Sequence, residues 1–294
     1  MGRLDRYIHL ILTISIVIPT KDRPNFVRTS VRAALASLPE GGDVIVIDDH
    51  GDKQAQDALK DIKDDRLRVL RNTGDRGPSI ARNFGVAQSG SDVILFADDD
   101  DLLKQGYEAH VLALAQTARY GFCAIDSFVD PPAEIPAFEP QGTTDISTLP
   151  FKKQLGGLGC GFWVYRSDFL DVGQINPKLR VNEDTDFSLR LLKAELKGVF
   201  ENGTGAMILQ HAISIAKGDL GQITKRSKDS ERAGYFATIL ADHADYLEQR
   251  PEAQAYLRKR LVKMYAKAGQ IRAGFLACKA SPALIGYFFV NLMT

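Results

Sequence analysis

The sequence predicts an α/β fold: a mainly parallel, mixed sheet flanked by helices over residues 1–227, followed by a helical region over residues 228–294. Three observations predict it. Short apolar, β-branched runs alternate with segments of helical period through the first two thirds of the chain, the pattern of βαβ crossovers. Successive runs end in acid or hydroxyl groups, at Thr20, at Asp48 and Asp49, and at Asp98 to Asp101. From about Lys228 onward apolar residues recur at helical spacing only.

Residues 13–18 read as the first strand, stopped by Pro19. A polar loop then enters a helix running to about residue 38, with Asp22 as a cap and Pro24 in the first turn. Residues 44–47 form a second strand, 55–62 a helix and 67–70 a third strand. A helix opens at Gly77-Pro78-Ser79 and runs to about Gln88, before the apolar run Val93 to Phe96. Residues 107–120 are predicted helical and 122–128 a strand, and the proline-bearing stretch 130–150 reads as a long loop. The glycine-rich segment 156–161 precedes a strand at 162–165 instead of opening a helix, so it is not a nucleotide loop but a tight bend or a close backbone approach. Asn182 to Asp186 opens a helix whose first turn carries Glu183, Asp184 and Asp186, more acids than capping alone needs. Residues 206–210 form a last strand that delivers His211, and the polar stretch 214–227 is a candidate lid bearing Lys217, Lys225 and Arg226. Helices are expected over 231–248, 253–268 and the final segment.

The run Asp98-Asp99-Asp100-Asp101 is the chemical centre of this reading. Four adjacent carboxylates repel one another, and solvated runs of this kind are common. This run follows a strand with no polar alternation, hence one buried on both faces. Oxygen ligands suit a hard divalent cation, whose charge relieves the repulsion. Right-handed crossovers bring Thr20, Asp48, Asp49 and the run to one edge of the sheet, where ligands of open α/β sheets bind.

Whole-chain properties exclude several classes. Lys plus Arg and Asp plus Glu number 37 each, so no global charge attracts nucleic acid. Cys123, Cys160 and Cys278 make neither a disulfide framework nor a zinc spacing, which points to a reducing, cytoplasmic setting. The apolar stretch 8–18 is shorter than the roughly 20 residues of a spanning helix. The apolar C-terminal segment 282–294 is also too short, and reads as a packed helix with peripheral contact to the inner face of the membrane or a homodimer seam as further roles.

Five segments in order resemble the family 2 glycosyltransferases, nucleotide-diphospho-sugar enzymes of the Rossmann-like GT-A fold. They are Ile16-Val-Ile-Pro-Thr20 with Arg23, Val44-Ile-Val-Ile-Asp-Asp49, Gly77-Pro-Ser-Ile-Ala-Arg-Asn83, Leu95-Phe-Ala-Asp-Asp-Asp-Asp101, and the stretch from Gly161 to Asn182-Glu-Asp-Thr-Asp186. The resemblance implies that Pro19, Thr20 and Asp48 cradle the base and ribose of a UDP-sugar donor, with Arg23, Asp49, Arg82, Asp98 and Asp99 in the same donor site. It implies Asp98 and Asp100 as the Asp-x-Asp acids, with Asp100 a direct ligand of Mg²⁺ or Mn²⁺ and His211 a further metal or phosphate contact. Asp184 is then the general base toward a hydroxyl acceptor. The Gln-x-x-Arg-Trp motif of processive synthases is absent, since the only tryptophan is Trp163.

The chemistry is consistent with that assignment. A leaving nucleotide diphosphate needs its charge neutralised, which a cation does as a Lewis acid. A hydroxyl becomes a competent nucleophile when a carboxylate takes its proton. One acid cluster plus one separate base implies single displacement and inversion. Rival readings are a nucleotidyltransferase, a catalytically silent nucleotide-sugar-binding module and a phosphatase with a covalent aspartate. The first needs a glycine-rich triphosphate loop, and residues 20–28 contain no glycine. The second has no need of both Asp100 and Asp184. The third leaves the Glu183-Asp184 region unexplained.

Overall fold

The computed structural model of the protein describes residues 11–52, 54–210, 228–279 and 283–293. These form two compact units, residues 1–146, 158–174 and 196–209 in the first and 147–157, 175–195 and 210–294 in the second. The boundary expected at residue 227 falls in 211–227, outside the described residues, as do His211, Lys217, Lys225 and Arg226.

The first unit is built on one nine-stranded sheet. Its strands are β1 (Ile14–Thr20), β2 (Asp43–Asp48), β3 (Leu67–Arg71), β4 (Val93–Phe96), β5 (Leu102–Leu103), β6 (Tyr120–Phe128), β7 (Thr143–Asp145), β8 (Phe162–Tyr165) and β9 (Gly198–Leu209). The order is β3-β2-β1-β4-β8-β6-β9-β5, with β7 also on β9. β1 to β4, β6 and β9 run the same way, whereas β8, β5 and β7 run against them. The mainly parallel, mixed sheet expected from the sequence is therefore present.

Helices α1 (Pro24–Ala36), α2 (Ala55–Leu59), α3 (Pro78–Gln88) and α4 (Tyr107–Ala115) belong to this unit. Val27, Val31, Ala34 and Leu35 of α1 recur at helical spacing and pack with Ile14, Ile16 and Ile18 of β1 and Val44 and Val46 of β2. The opposite parity of β2, Ile45 and Ile47, packs with Ala81 of α3. Gly85 lets α3 lie close on the sheet, because a Cβ there would stand 2.5 Å from Val17 Cγ1.

The ends of β1 and α4 differ from expectation for identifiable reasons. β1 continues through Pro19 instead of stopping before it. Ala97 N donates to Val17 O and Asp49 N to Thr20 O, so the two-residue alternation turns the Pro19 nitrogen toward β4. The missing N–H forfeits the next bond of the parallel ladder, to Ala97 O, and the pairing of β4 ends at Phe96, opposite Val17. α4 ends at Ala115 because Arg119 N bonds Lys197 O and Tyr120 pairs with Gly198, so sheet pairing overrides helical period in 116–120.

In the second unit lie α5 (Phe151–Gln154), α7 (Glu183–Lys193), α8 (Asp229–Asp242), α9 (Ala244–Glu248), α10 (Pro251–Lys267), α11 (Ile271–Cys278) and α12 (Leu284–Leu292), whereas α6 (Arg166–Asp171), between α5 and α7 in the chain, belongs to the first unit. Leu179 and Leu189 share a core with Phe236, Ile239, Leu257 and Leu261. The helix expected over 231–248 is broken at His243, whose Nε2 lies 2.9 Å from Asp186 Oδ1. All three cysteines are buried and free.

Glu108 of α4 is fully buried, with Oε2 accepting from Ser37 Oγ at 2.8 Å and Oε1 unpartnered. Burial pushes its carboxyl from the usual 4.5 up to about 7. The folded state thus holds this proton more tightly than the unfolded chain between those values. Its stabilisation is complete below pH 4.5 and is lost as pH rises through 7, by about 3 kcal/mol. Glu108→Gln is expected to remove that part of the pH dependence. Urea unfolding at pH 5 and pH 8 checks it, and equal slopes in both proteins would refute it.

Candidate active site

The strand ends of the first unit converge as the crossovers require. Thr20 closes β1 in register with Asp48 of β2, and Asp98 to Asp101 follow β4. Thr20 Oγ1 donates to Asp99 Oδ2 at 2.6 Å. Arg23 Nη1 bridges Asp99 at 3.0 Å and Asp100 at 2.7 Å, from a side chain only 19% exposed. Arg82, buried on α3, pairs with Asp98. Asp48 accepts from the backbone of Gly51 and Ala55 and from Arg71. Asp49 accepts from Asn72 and from Gly77 N, which holds the loop leading into α3. Pro19, Thr20, Arg23, Asp48, Asp49, Arg82, Asp98, Asp99 and Asp100 thus share one edge of one unit. Backbone pairing sets the placement: Asp48 is the last ladder residue of β2 and Asp49 follows it, while the run from Asp98 begins two residues past Phe96, the last ladder residue of β4.

Burial of Asp99, Asp100 and Asp101 creates the electrostatic problem that a cation solves. Burial, then the Asp100 charge, pushes the Asp99 carboxyl up to about 7 against the pull of Arg23. Burial, then the charges of Asp98 and Asp100, pushes Asp101 up to about 9. Oxygens of Asp98, Asp100 and Asp101 lie within 4.8 Å of one another. An all-carboxylate set of this kind fits Mg²⁺ or Mn²⁺ in its donor chemistry. Asp101 was not singled out from the sequence, where nothing distinguishes it within the run; its Oδ1 accepts from Leu209 N of β9, a contact 108 residues away in the chain.

Gly159 was missed as well. A Cβ there would stand 2.6 Å from Asp98 Oδ2, so the glycine-rich segment makes a close backbone approach to the acid cluster. The segment turns at Gly161, at φ +77°, whose N donates to Phe96 O at the end of β4. The tight bend expected for this segment is present.

Asp184 lies in the second unit, in the first turn of α7, with Oδ1 accepting from Thr185 N at 2.6 Å. Asp186 is committed elsewhere: its carboxylate takes Arg190 at 2.8 Å and His243. Burial acts upward on Asp186, but these partners outweigh it and hold the carboxyl below its usual range. Asn182, Glu183, Asp184 and Thr185 line a cavity of about 470 Å³ together with Lys152, Leu155, Arg232, Tyr256 and Arg260.

A mostly parallel sheet with acids at its strand ends is the architecture that glycosyltransferases of the GT-A type share. The profile of Glycosyl transferase family 2 matches residues 15–173, and the chain belongs to that family. It is 27% identical over 259 residues to the succinoglycan biosynthesis protein ExoU of Rhizobium meliloti (strain 1021), across 81% of this chain and 74% of ExoU. It covers only 13% and 12% of the length of two other curated relatives. Among solved structures, S. aureus TarS 1–349 in complex with UDP-GlcNAc superposes with a TM-score of 0.63 at 14% identity, over 87% of this chain and 72% of that one. GalNAc-T7 with UDP, GalNAc and Mn²⁺ gives 0.53 at 19% identity, over 68% and 44%. At these identities the structures establish a shared fold.

Proposed function

We propose that this glycosyltransferase moves a single sugar from a UDP-sugar to a hydroxyl acceptor in bacterial glycoconjugate synthesis, inverting the anomeric carbon and using Mg²⁺ or Mn²⁺. The observation that carries this reading is the cluster of Asp98, Asp100 and Asp101 at the strand edge, with Thr20, Arg23 and Arg82 fixed around it. Further support comes from the role in the name of ExoU, from UDP-GlcNAc on TarS, and from UDP and Mn²⁺ on GalNAc-T7.

Asp100 would hold the cation directly, with Asp98 and Asp101 beside it; once bound, the cation would neutralise charge on the leaving diphosphate. Pro19, Thr20 and Asp48 hold base and ribose. Asp49 and Asp99 orient this wall through Gly77 and Thr20. Arg23 and Arg82 bring positive charge to the diphosphate side. Asp184 takes the proton of the acceptor hydroxyl as it attacks. No second carboxylate is needed as a nucleophile, hence inversion; retention in the product's anomeric NMR signal would overturn that part.

A thermal-shift panel of UDP-, GDP- and dTDP-sugars, each with and without Mn²⁺, tests the donor class. Stabilisation by UDP-sugars alone, and only with metal, is expected. Equal stabilisation without metal contradicts it.

The setting proposed is the inner face of the cytoplasmic membrane. No helix of the described residues is long and apolar enough to cross a membrane. α11 and α12 nevertheless expose Ile271, Phe275, Leu276, Phe289 and Val290, with Arg272 and Lys279 exposed in the same stretch of chain. Such a face suits an anionic lipid surface. Co-sedimentation with phosphatidylglycerol vesicles and not with phosphatidylcholine vesicles is expected; a salt-stable dimer with no vesicle binding would instead assign the face to a second copy.

A further inference from the structure

The cavity beside Asp184 is rich in donors of positive charge, and its own residues leave them unmet. Lys152 of α5, Arg232 of α8 and Arg260 of α10 reach it from three helices, against the carboxylates of Glu183 and Asp184. Among the described residues Lys152 and Arg260 form no ion pair. Arg260 is held by rings instead, its guanidinium 4.8 Å from the centroid of Phe236 and 6.0 Å from that of Tyr256. Arg232 reaches Asp229 only through Nη1, at 3.4 Å. Its Nε is buried without an acceptor, and so is Asn182 Nδ2, on the same cavity wall. Buried N–H groups without partners are rare and costly. These two atoms lie beneath the cavity wall; the cations that line it, Lys152, Arg232 and Arg260, call for lone pairs with full charge, which an oxyanion offers and a neutral sugar hydroxyl does not.

We infer that this cavity binds an anionic group on the acceptor, a phosphate ester or a carboxylate, through Lys152, Arg232, Arg260 and Asn182. The inference rests on the glycosyltransferase reading and on Asp184 as base, and adds the chemical class of the acceptor. The fold gives the site rigid cations: Arg260 is stacked on Phe236 in the core of the second unit, and Tyr256 is braced by Phe151 at 5.8 Å. Guanidinium groups so held lose little side-chain entropy on meeting an oxyanion. Arg232, Tyr256 and Arg260 of this wall lie outside residues 15–173, the span matched by the family profile.

The test uses the full chain in EDTA, so that metal-dependent donor binding is silent. Inorganic phosphate, glucose 6-phosphate, glucuronate and neutral methyl glucoside are titrated by calorimetry into the wild type, Lys152→Gln, and the double variant Arg232→Gln with Arg260→Gln. The anionic probes are expected to bind at least 10-fold more tightly than methyl glucoside. That preference is expected to fall about 3-fold in Lys152→Gln and to vanish in the double variant. The stronger of glucose 6-phosphate and glucuronate identifies the anion as phosphate or carboxylate. Equal binding of methyl glucoside, or an anion preference unchanged in both variants, overturns the inference. Lys152, the more exposed of the three, keeps the test informative if the double variant does not fold. Binding of UDP with Mn²⁺, measured on the same samples, separates the two levels. Intact UDP binding without anion preference removes this inference alone, whereas absent UDP binding in the wild type removes the underlying function.

Discussion

Asp184→Asn is expected to lower turnover by roughly 10²–10⁴-fold while leaving Mn²⁺-dependent UDP affinity unchanged. The amide keeps the shape of the side chain and can still accept from Thr185 N, the contact that holds Asp184 in the first turn of α7. It cannot take a proton at neutral pH. Loss of one negative charge at a helix N-terminus costs about 1 kcal/mol or less, so the fold should survive. The split between chemistry and donor affinity is the diagnostic feature. A variant that keeps turnover within a few-fold of wild type moves the base elsewhere, and one that loses UDP affinity as well assigns Asp184 to the donor site.

Asp100→Asn is expected to give the opposite pattern, with UDP binding lost in Mn²⁺ and turnover down by roughly 10²-fold or more. The substitution removes one of three clustered carboxylates and takes the charge from the Asp100 end of the Arg23 bridge. Arg23 keeps Asp99, so the loop between β1 and α1 retains an anchor. Raising Mn²⁺ concentration should restore part of the activity if the remaining Asp98 and Asp101 still offer oxygens. Unchanged metal dependence in this variant would falsify the assignment of Asp100 as a ligand.

The strand-edge half of this account was legible in the sequence because its information is local. An apolar run followed at once by acid marks both a strand and its end, and parallel pairing then stacks Thr20, Asp48 and Asp98 without further instruction. What was not legible depends on partners remote in the chain. β8 runs between β4 and β6 against both, and no local pattern in 162–165 encodes that insertion. β9 starts at Gly198, not near 206, because β6 supplies its ladder. Asp101 enters the acid cluster by folding back to Leu209 N, and Gly159 earns its place only from the position of Asp98. In the second unit, His243 interrupts a helical period in order to meet Asp186, a buried polar pairing invisible to hydrophobic periodicity.

The central claim is that the buried carboxylates after β4 hold the cation through which a nucleotide diphosphate is bound. Calorimetric titration of UDP into the wild-type chain, once in Mn²⁺ and once in EDTA, tests it most directly. One molecule of UDP per chain, bound at least 10-fold more tightly with Mn²⁺, is the result expected here. UDP affinity that is the same in EDTA would contradict it.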